Sequence, residues 1–307
     1  MTRPWQNRLV KKETLNSPVV EQTPVIWKGR LVLVETWQGH YWDKPPKQEH
    51  DYYVRVRDAE TGDILVAECM KGYGFASALV WDGTLYVFAG RDTGEPHTRD
   101  VNMSKTDDLV NWSEPRKLVV PDNPDEYVYN QSVCYDGRRF AMAYEIPNGP
   151  ACTPCNPYTT RFATSDDLGT WTKLPEAIYG THRFAGCPAL RYAGGYYYML
   201  YATDLPPRHW FETWLTRSKD LVHWEDAPHK PVIAPDPTRN VHPDCPPHSD
   251  SHCPANGKEI NASDPDLVEW QGKVRVYFTG GCQHWGGDLQ YAEFGGTMQE
   301  FFESYYS

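Results

Sequence analysis

The chain has little with which to grip a polyanion or enter a bilayer. Its 307 residues carry 30 Lys and Arg against 41 Asp and Glu, a formal net charge of −11. There is no basic surplus to neutralise a phosphate backbone, so nucleic acid is not an expected partner. No run of about 18 apolar residues occurs, so no segment reads as a membrane-spanning helix. The opening stretch, Met1-Thr-Arg-Pro-Trp-Gln-Asn-Arg, lacks the apolar core of a secretory leader. A cytoplasmic location is expected for the sequence as written, and a periplasmic or secreted one if a leader has been removed. The 8 Cys are too few for a disulfide scaffold. No glycine-rich phosphate loop, nucleophile elbow or His-Glu-x-x-His helix is present.

Aromatics and turn formers are abundant: 12 Trp, 20 Tyr, 10 Phe, 26 Pro and 23 Gly. That mixture suits many short strands and tight turns, and it is poor material for long helices. One unit recurs, an apolar run, a short turn with Gly and a second alternating run. It occupies residues 24–34, 78–88, 132–142, 188–198 and 266–277. The turn glycines Gly29, Gly83, Gly137, Gly194 and Gly272 are spaced by 54, 54, 57 and 78. Gly in such turns supplies a positive φ cheaply, so each unit reads as a β-hairpin. A second motif recurs after a third strand, as Asp108/Trp112, Asp167/Trp171 and Asp220/Trp224. Its carboxylate is placed to cap the turn and its Trp to cover the sheet edge. Five units of about 55 residues, each of four antiparallel strands, predict a single all-β domain over 1–307, a five-bladed β-propeller. The fifth unit lacks an outer strand, which the arm around Trp5–Lys11 is expected to supply.

In a propeller the starts of the inner strands and the loops after each second strand meet at one mouth. Those segments contain Glu21, Gln131, His182 and Arg183, with Asp264, Trp37, Trp42, Arg91, Glu145, Trp210, Gln283, His284 and Trp285. Aromatic faces suit the C–H patches of a sugar ring, and Gln, Arg and His suit its hydroxyls. Trp37, Trp42, Arg91, Gln131, Arg183, Trp210, Gln283, His284 and Trp285 are accordingly the candidate substrate-binding residues.

The repeated Ser-x-Asp-Leu-x-x-Trp motif and the five hairpins resemble the five-bladed propeller glycoside hydrolases, the superfamily of arabinanases, invertases and neoagarobiose hydrolases. The segment Ala262-Ser-Asp-Pro-Asp-Leu-Val-Glu-Trp270 with Gly281-Cys-Gln283, and the ending Tyr291–Tyr305, resemble relatives of neoagarobiose hydrolases most. The resemblance implies an inverting hydrolase of plant, algal or microbial oligosaccharides, as a monomer or homodimer, and an acidic, narrow-mouthed propeller with bulky loops favours exo-action that releases a terminal sugar. Arabinanase-like relatives bring carboxylates from blades one, three and four. The matching positions here are Glu21, Asn130 and the run Ala185-Gly186-Cys187-Pro188, of which only Glu21 is acidic. In neoagarobiose hydrolases a His serves as acid, which draws His182, His209 and His284 into view.

Inversion requires a base that activates water and an acid that protonates the leaving oxygen. Asp264 and Asp266 flank Pro265 in an extended segment, so Asp264 is expected at the mouth and Asp266 in a structural role. Asp264 and Glu21 are expected to share base and pKa-setting work, with Glu145 or His182 as the acid. A phosphorylase using Arg91, Arg183 or Arg208 for phosphate, and a non-catalytic sugar-binding propeller, stand as alternatives.

The last repeat interval is longer than the others, with the excess in a loop at about 230–262. Cys245, His248, His252 and Cys253 crowd there, and thiolate and imidazole are ligands that zinc prefers. Zinc or calcium in a structural role, a Cys245–Cys253 disulfide, and a plain polar lid are the three readings of that loop. Cys152-Thr-Pro-Cys155 is a weaker candidate for two further thiolates. No cofactor is expected for the reaction itself.

Overall fold

The repeated hairpins fold as five antiparallel sheets of four strands. The computed structural model describes residues 8–12, 15, 17, 19, 21–38, 52–91, 98, 100–123, 126–147, 152, 158–205, 210–241, 257–282 and 287–307. Blade 1 consists of β2 (Gln22–Trp27), β3 (Arg30–Gln38), β4 (Tyr52–Asp58) and β5 (Ile64–Cys69). Blade 2 follows with β6 (Tyr73–Trp81), β7 (Thr84–Arg91), β8 (Val101–Thr106) and β9 (Arg116–Val119). Blade 3 contains β10 (Tyr129–Tyr135), β11 (Phe140–Pro147), β12 (Tyr158–Ser165) and β13 (Thr172–Tyr179). Blade 4 contains β14 (Gly186–Ala193), β15 (Tyr196–Leu205), β16 (Trp210–Ser218) and β17 (Trp224–Asp226). In blade 5, β18 (Ser263–Trp270), β19 (Lys273–Gly281) and β20 (Gly287–Gly295) are completed by β1 (Val10–Lys11), which pairs antiparallel with β20. The N-terminal arm thus closes the ring, as its sequence led us to expect.

Four hairpins turn on two residues with positive φ: Lys28–Gly29, Asp82–Gly83, Gly194–Gly195 and Gln271–Gly272. In blade 4, therefore, Gly195 rather than Gly194 matches Gly29 in register. The blade 3 turn differs. Tyr135 pairs with Phe140, so four residues intervene, and Asp136 caps them by accepting from the amides of Arg138 and Arg139. The second motif behaves as its composition dictates. Asp108, Asp167 and Asp220 each accept two backbone amides of their own turn. Trp112, Trp171 and Trp224 donate their indole N–H to the carbonyls of Leu109, Leu168 and Leu221.

Second strands are buried on both faces, which is why they read as continuous apolar runs rather than strict alternations. In β3, Val32 and Val34 pack toward blade 2, while Leu31 and Leu33 pack toward blade 5 with Tyr277 and Leu289. Helix α1 (Met298–Glu303) starts on a capping box between Thr297 and Glu300. It buries Phe301 and Phe302 in the core between blades 4 and 5, where Phe302 stacks on Tyr198 at 4.3 Å between centroids.

Candidate active site

The inner strands share a register that defines a ring of five residues around the propeller axis. Thr23, Ser77, Ser132, Ala189 and Asp266 pair at equivalent places with their second strands. Two residues before them stand Glu21, Phe75, Asn130, Cys187 and Asp264. In blades 2 to 5 the pairing shifts at this point, and Phe75, Asn130, Cys187 and Asp264 all take left-handed backbone with φ of 54°, 49°, 54° and 49°. Left-handed backbone costs a non-glycine residue of order 1–3 kcal/mol, and a bulge re-aims the side chain it carries. Four strained residues at one level mark it as the level where the fold holds side chains in place. Glu21, Phe75, Asn130, Cys187 and Asp264 all line a cavity of about 30 Å³.

Hydrogen bonds between blades fix the floor beneath the ring. Gln22 donates from Nε2 to the carbonyl of Asp264 at 3.1 Å. Thr23 donates to Asp266 at 2.8 Å, and Asp266 is paired with Arg191 and capped by the amide of Leu267. Arg191 also donates to the carbonyl of Leu267 and to the Ser132 hydroxyl, so blades 1, 3, 4 and 5 meet in one network. Asp266 therefore holds the structural role its sequence context suggested. Gln131 donates from Nε2 to the carbonyls of Phe75 and Phe88, at 2.6 and 2.8 Å. Its amide bolts blade 3 to blade 2, and those donors are not available to a substrate.

Three carboxylates converge above this floor. Glu145, on β11, is buried, while Glu21 and Asp264 keep partial exposure. Oε2 of Glu145 accepts from Asn130 Nδ2 at 3.0 Å and from the backbone N–H of Cys187 at 2.8 Å. Burial pushes the Glu145 carboxyl up to about 8, against the pull of those two donors. Burial is also the largest cause raising Glu21, followed by the charges of Asp264 and Glu145. Asp264 is raised by burial but accepts from Cys187, Ser263 and Thr279, all of which favour its charged form. The environments differ, and different environments are how carboxyls acquire different roles.

Of the remaining candidates, His182 stands apart from the carboxylates. It lies in the connection from β13 to β14, where Nε2 accepts from Arg183 Nε at 2.8 Å and the ring meets Tyr179 edge-on. Burial and the Arg183 charge lower its pKa, which disfavours the protonated form that an acid needs. Arg183 has every donor nitrogen engaged, with His182, Tyr201 and Asp226, and lies over Trp214. Trp37 lies under the Arg55 guanidinium at 3.6 Å. Trp210 donates its indole N–H to Glu212 at 3.1 Å, and Arg91 is exposed at the end of β7.

Trp42, Gln283, His284 and Trp285 lie outside the described residues, as do Cys245, His248, His252, Cys253 and Cys155. Among the described residues no group of three or more His, Cys, Asp or Glu is placed to hold a metal. Cys152 is a free thiol, whereas Cys282 is disulfide-bonded.

Asn130 and Cys187 are the site residues whose roles sequence reasoning missed. The signal was available in the register, since both stand two places before the first regular pair of their hairpin. Their side chains simply did not match the carboxylates sought there.

No protein family's sequence profile matches the chain, and no curated protein matches it. Solved structures do. The catalytic domain of a GH62 α-L-arabinofuranosidase from Coprinopsis cinerea superposes with a TM-score of 0.64 at 10% identity, covering 94% of this chain and 96% of that one. A GH43 endo-arabinanase from Bacillus licheniformis gives a TM-score of 0.61 at 10% identity, over 94% and 98%. An α-L-arabinofuranosidase from Clostridium thermocellum gives 0.56 at 14% identity, over 84% and 81%. At these identities the likeness is one of fold, the five-bladed β-propeller.

Proposed function

We propose that the protein is a glycosidase acting on oligosaccharides at the axial mouth. The observation that carries this reading is the convergence of Glu21, Glu145 and Asp264 in unequal environments on one propeller axis. Structures of similar fold described as arabinofuranosidases and an arabinanase add to it.

Glu145 is the general acid. Its buried carboxyl stays protonated at neutral pH, and because Oε2 accepts two hydrogen bonds, the proton sits on Oε1. Asp264, with three donors favouring its charge, is the base that takes a proton from water. Glu21 sets the field around Asp264 and shares its titration. His182 is the weaker candidate for acid, because Arg183 occupies it. Exo-action, inversion and release of a terminal sugar complete the proposal, and the narrower likeness to neoagarobiose hydrolases rests on the sequence segments alone. Carboxylate acid–base chemistry calls for no cofactor. The Cys282 disulfide favours the exported location over the cytoplasm.

The test incubates the protein with short plant and algal oligosaccharides, with and without phosphate, and separates the products. Release of a terminal sugar by wild type, absent in Asp264→Asn and independent of phosphate, is expected. Turnover that requires phosphate would make it a phosphorylase. Sugar binding without turnover would make it a binding module.

A further inference from the structure

Cys187 has no evident role in acid–base chemistry, yet it touches both carboxylates to which that chemistry is assigned. It enters the ring from blade 4, between Asn130 of blade 3 and Asp264 of blade 5. Its backbone N–H donates to Glu145 Oε2 at 2.8 Å. Its thiol accepts from Asn130 Nδ2 at 3.4 Å and shares the axial cavity with the Asp264 carboxylate, close enough for each group to shift the titration of the other. The other hydrogen of Asn130 Nδ2 is directed to Glu145 Oε2, at 3.0 Å. Asn130, Cys187 and Glu145 therefore close a bracket, and the thiol extends it across the axis to Asp264.

We propose that Cys187 is a positioning residue, using its backbone N–H on Glu145 and its thiol on Asp264 to hold the two carboxyls in different states across the axis. The assignment of acid and base rests on the glycosidase reading, but the bracket does not.

The two attachments are chemically distinct. A side-chain substitution removes the thiol and leaves the N–H, so it acts on Asp264 first. The S–H proton must point at Asp264, because an ionised carboxylate has no proton to give and Asn130 supplies its own. Burial and the charges of Asp264 and Glu145 keep that thiol protonated, with its pKa well above the ordinary value. The other groups facing the pair are Glu21, the hydroxyls of Ser263 and Thr279, and, one level down, the Asp266–Arg191 pair. None of them links Glu145 to Asp264. A left-handed φ of 54° fixes the direction of the Cys187 side chain, so the contact does not depend on a free rotamer of a long chain.

The experiment titrates the carboxyls of the whole protein directly, by ¹³C NMR of samples labelled at Asp Cγ and Glu Cδ. Wild type is compared with Cys187→Ala, Cys187→Ser and Cys187→Val, each checked for folding by circular dichroism. In Cys187→Ala the Asp264 titration is expected to rise by about one pH unit, the loss of one hydrogen bond to a charged group. Cys187→Ser keeps a donor and should return it toward wild type. Cys187→Val fills the volume without a donor, and should match Ala if the alanine variant folds poorly. An Asp264 titration unmoved in both Ala and Val, or equally displaced in Ser, would overturn the proposal. No substrate is consumed, so a failure of the glycosidase reading shows up separately, as an oligosaccharide panel without turnover.

Discussion

The carbonyl of Asp264 accepts from the side-chain amide of Gln22, and this bond joins the last blade to the first at the level of the carboxylates. Glu21 immediately precedes Gln22, so closure of the ring and assembly of the site are one event. Asp264 then lies near enough for its charge to hold back ionisation of Glu21. The seam between blades 5 and 1 is stabilised by burial and hydrogen bonds, and on the proposed reading it holds the base.

Asp264→Asn should cost about 10²–10⁴-fold in turnover of whichever oligosaccharide proves active, the usual contribution of a general base. Its thermal unfolding should stay close to that of wild type. Parallel rate and melting measurements check this.

Activity should fall as pH rises through about 8, where Glu145 loses its proton. Asp264 must be ionised, and its pKa is raised, so the acid limb should lie above the ordinary Asp range. The pH–rate profile reads both limbs.

Glu145 also predicts a stability effect of opposite sign to that of a salt-bridged carboxylate. Its folded pKa, about 8, exceeds the ordinary 4.5 of the unfolded chain. The folded state binds the extra proton, so this contribution is complete below the unfolded value and is lost as pH rises to about 8. The slope approaches about 1.4 kcal/mol per pH unit between those limits. Glu145→Gln should flatten that dependence in urea unfolding followed from pH 5 to 9.

Asp266→Ala should destabilise the fold by about 3 kcal/mol, because it leaves the partly buried Arg191 guanidinium without its carboxylate partner. Thr23 would lose its acceptor as well. A lowered urea midpoint with an unchanged slope is the expected result.

Removing residues 1–12 should lower the melting temperature by several degrees and promote self-association. It deletes β1, exposes the β20 edge, and takes away Lys11, which donates to Ala234 and lies 3.6 Å from the buried Glu259. Calorimetry and light scattering would show both effects.

The fold was legible because its signals are local and repeated. Glycine-bearing turns, the Asp/Trp motif and the spacing near 55 recur from blade to blade, and the shortage in the fifth unit points to the N-terminal arm. The site was legible only in part. Asp264, Glu21 and Glu145 are carboxylates near strand ends, and topology alone brings them together. Gln131 stands at the right place in the chain for a sugar ligand, but its side-chain amide donates to the neighbouring blade. His182 was drawn in by its position before an inner strand, and the Arg183 hydrogen bond that occupies it has no mark in the sequence. Cys187 depends on a left-handed backbone at a bulge, which a cysteine gives no reason to expect.

The most direct measurement compares Glu145→Gln with wild type on two substrates of the same sugar. One is the natural oligosaccharide, and the other is an aryl glycoside whose leaving phenol needs no protonation. A general acid matters only where the leaving oxygen must be protonated. The account predicts a loss of about 10²–10⁴-fold on the oligosaccharide and a loss below about tenfold on the activated glycoside. Equal losses on both substrates, or none on either, would contradict it.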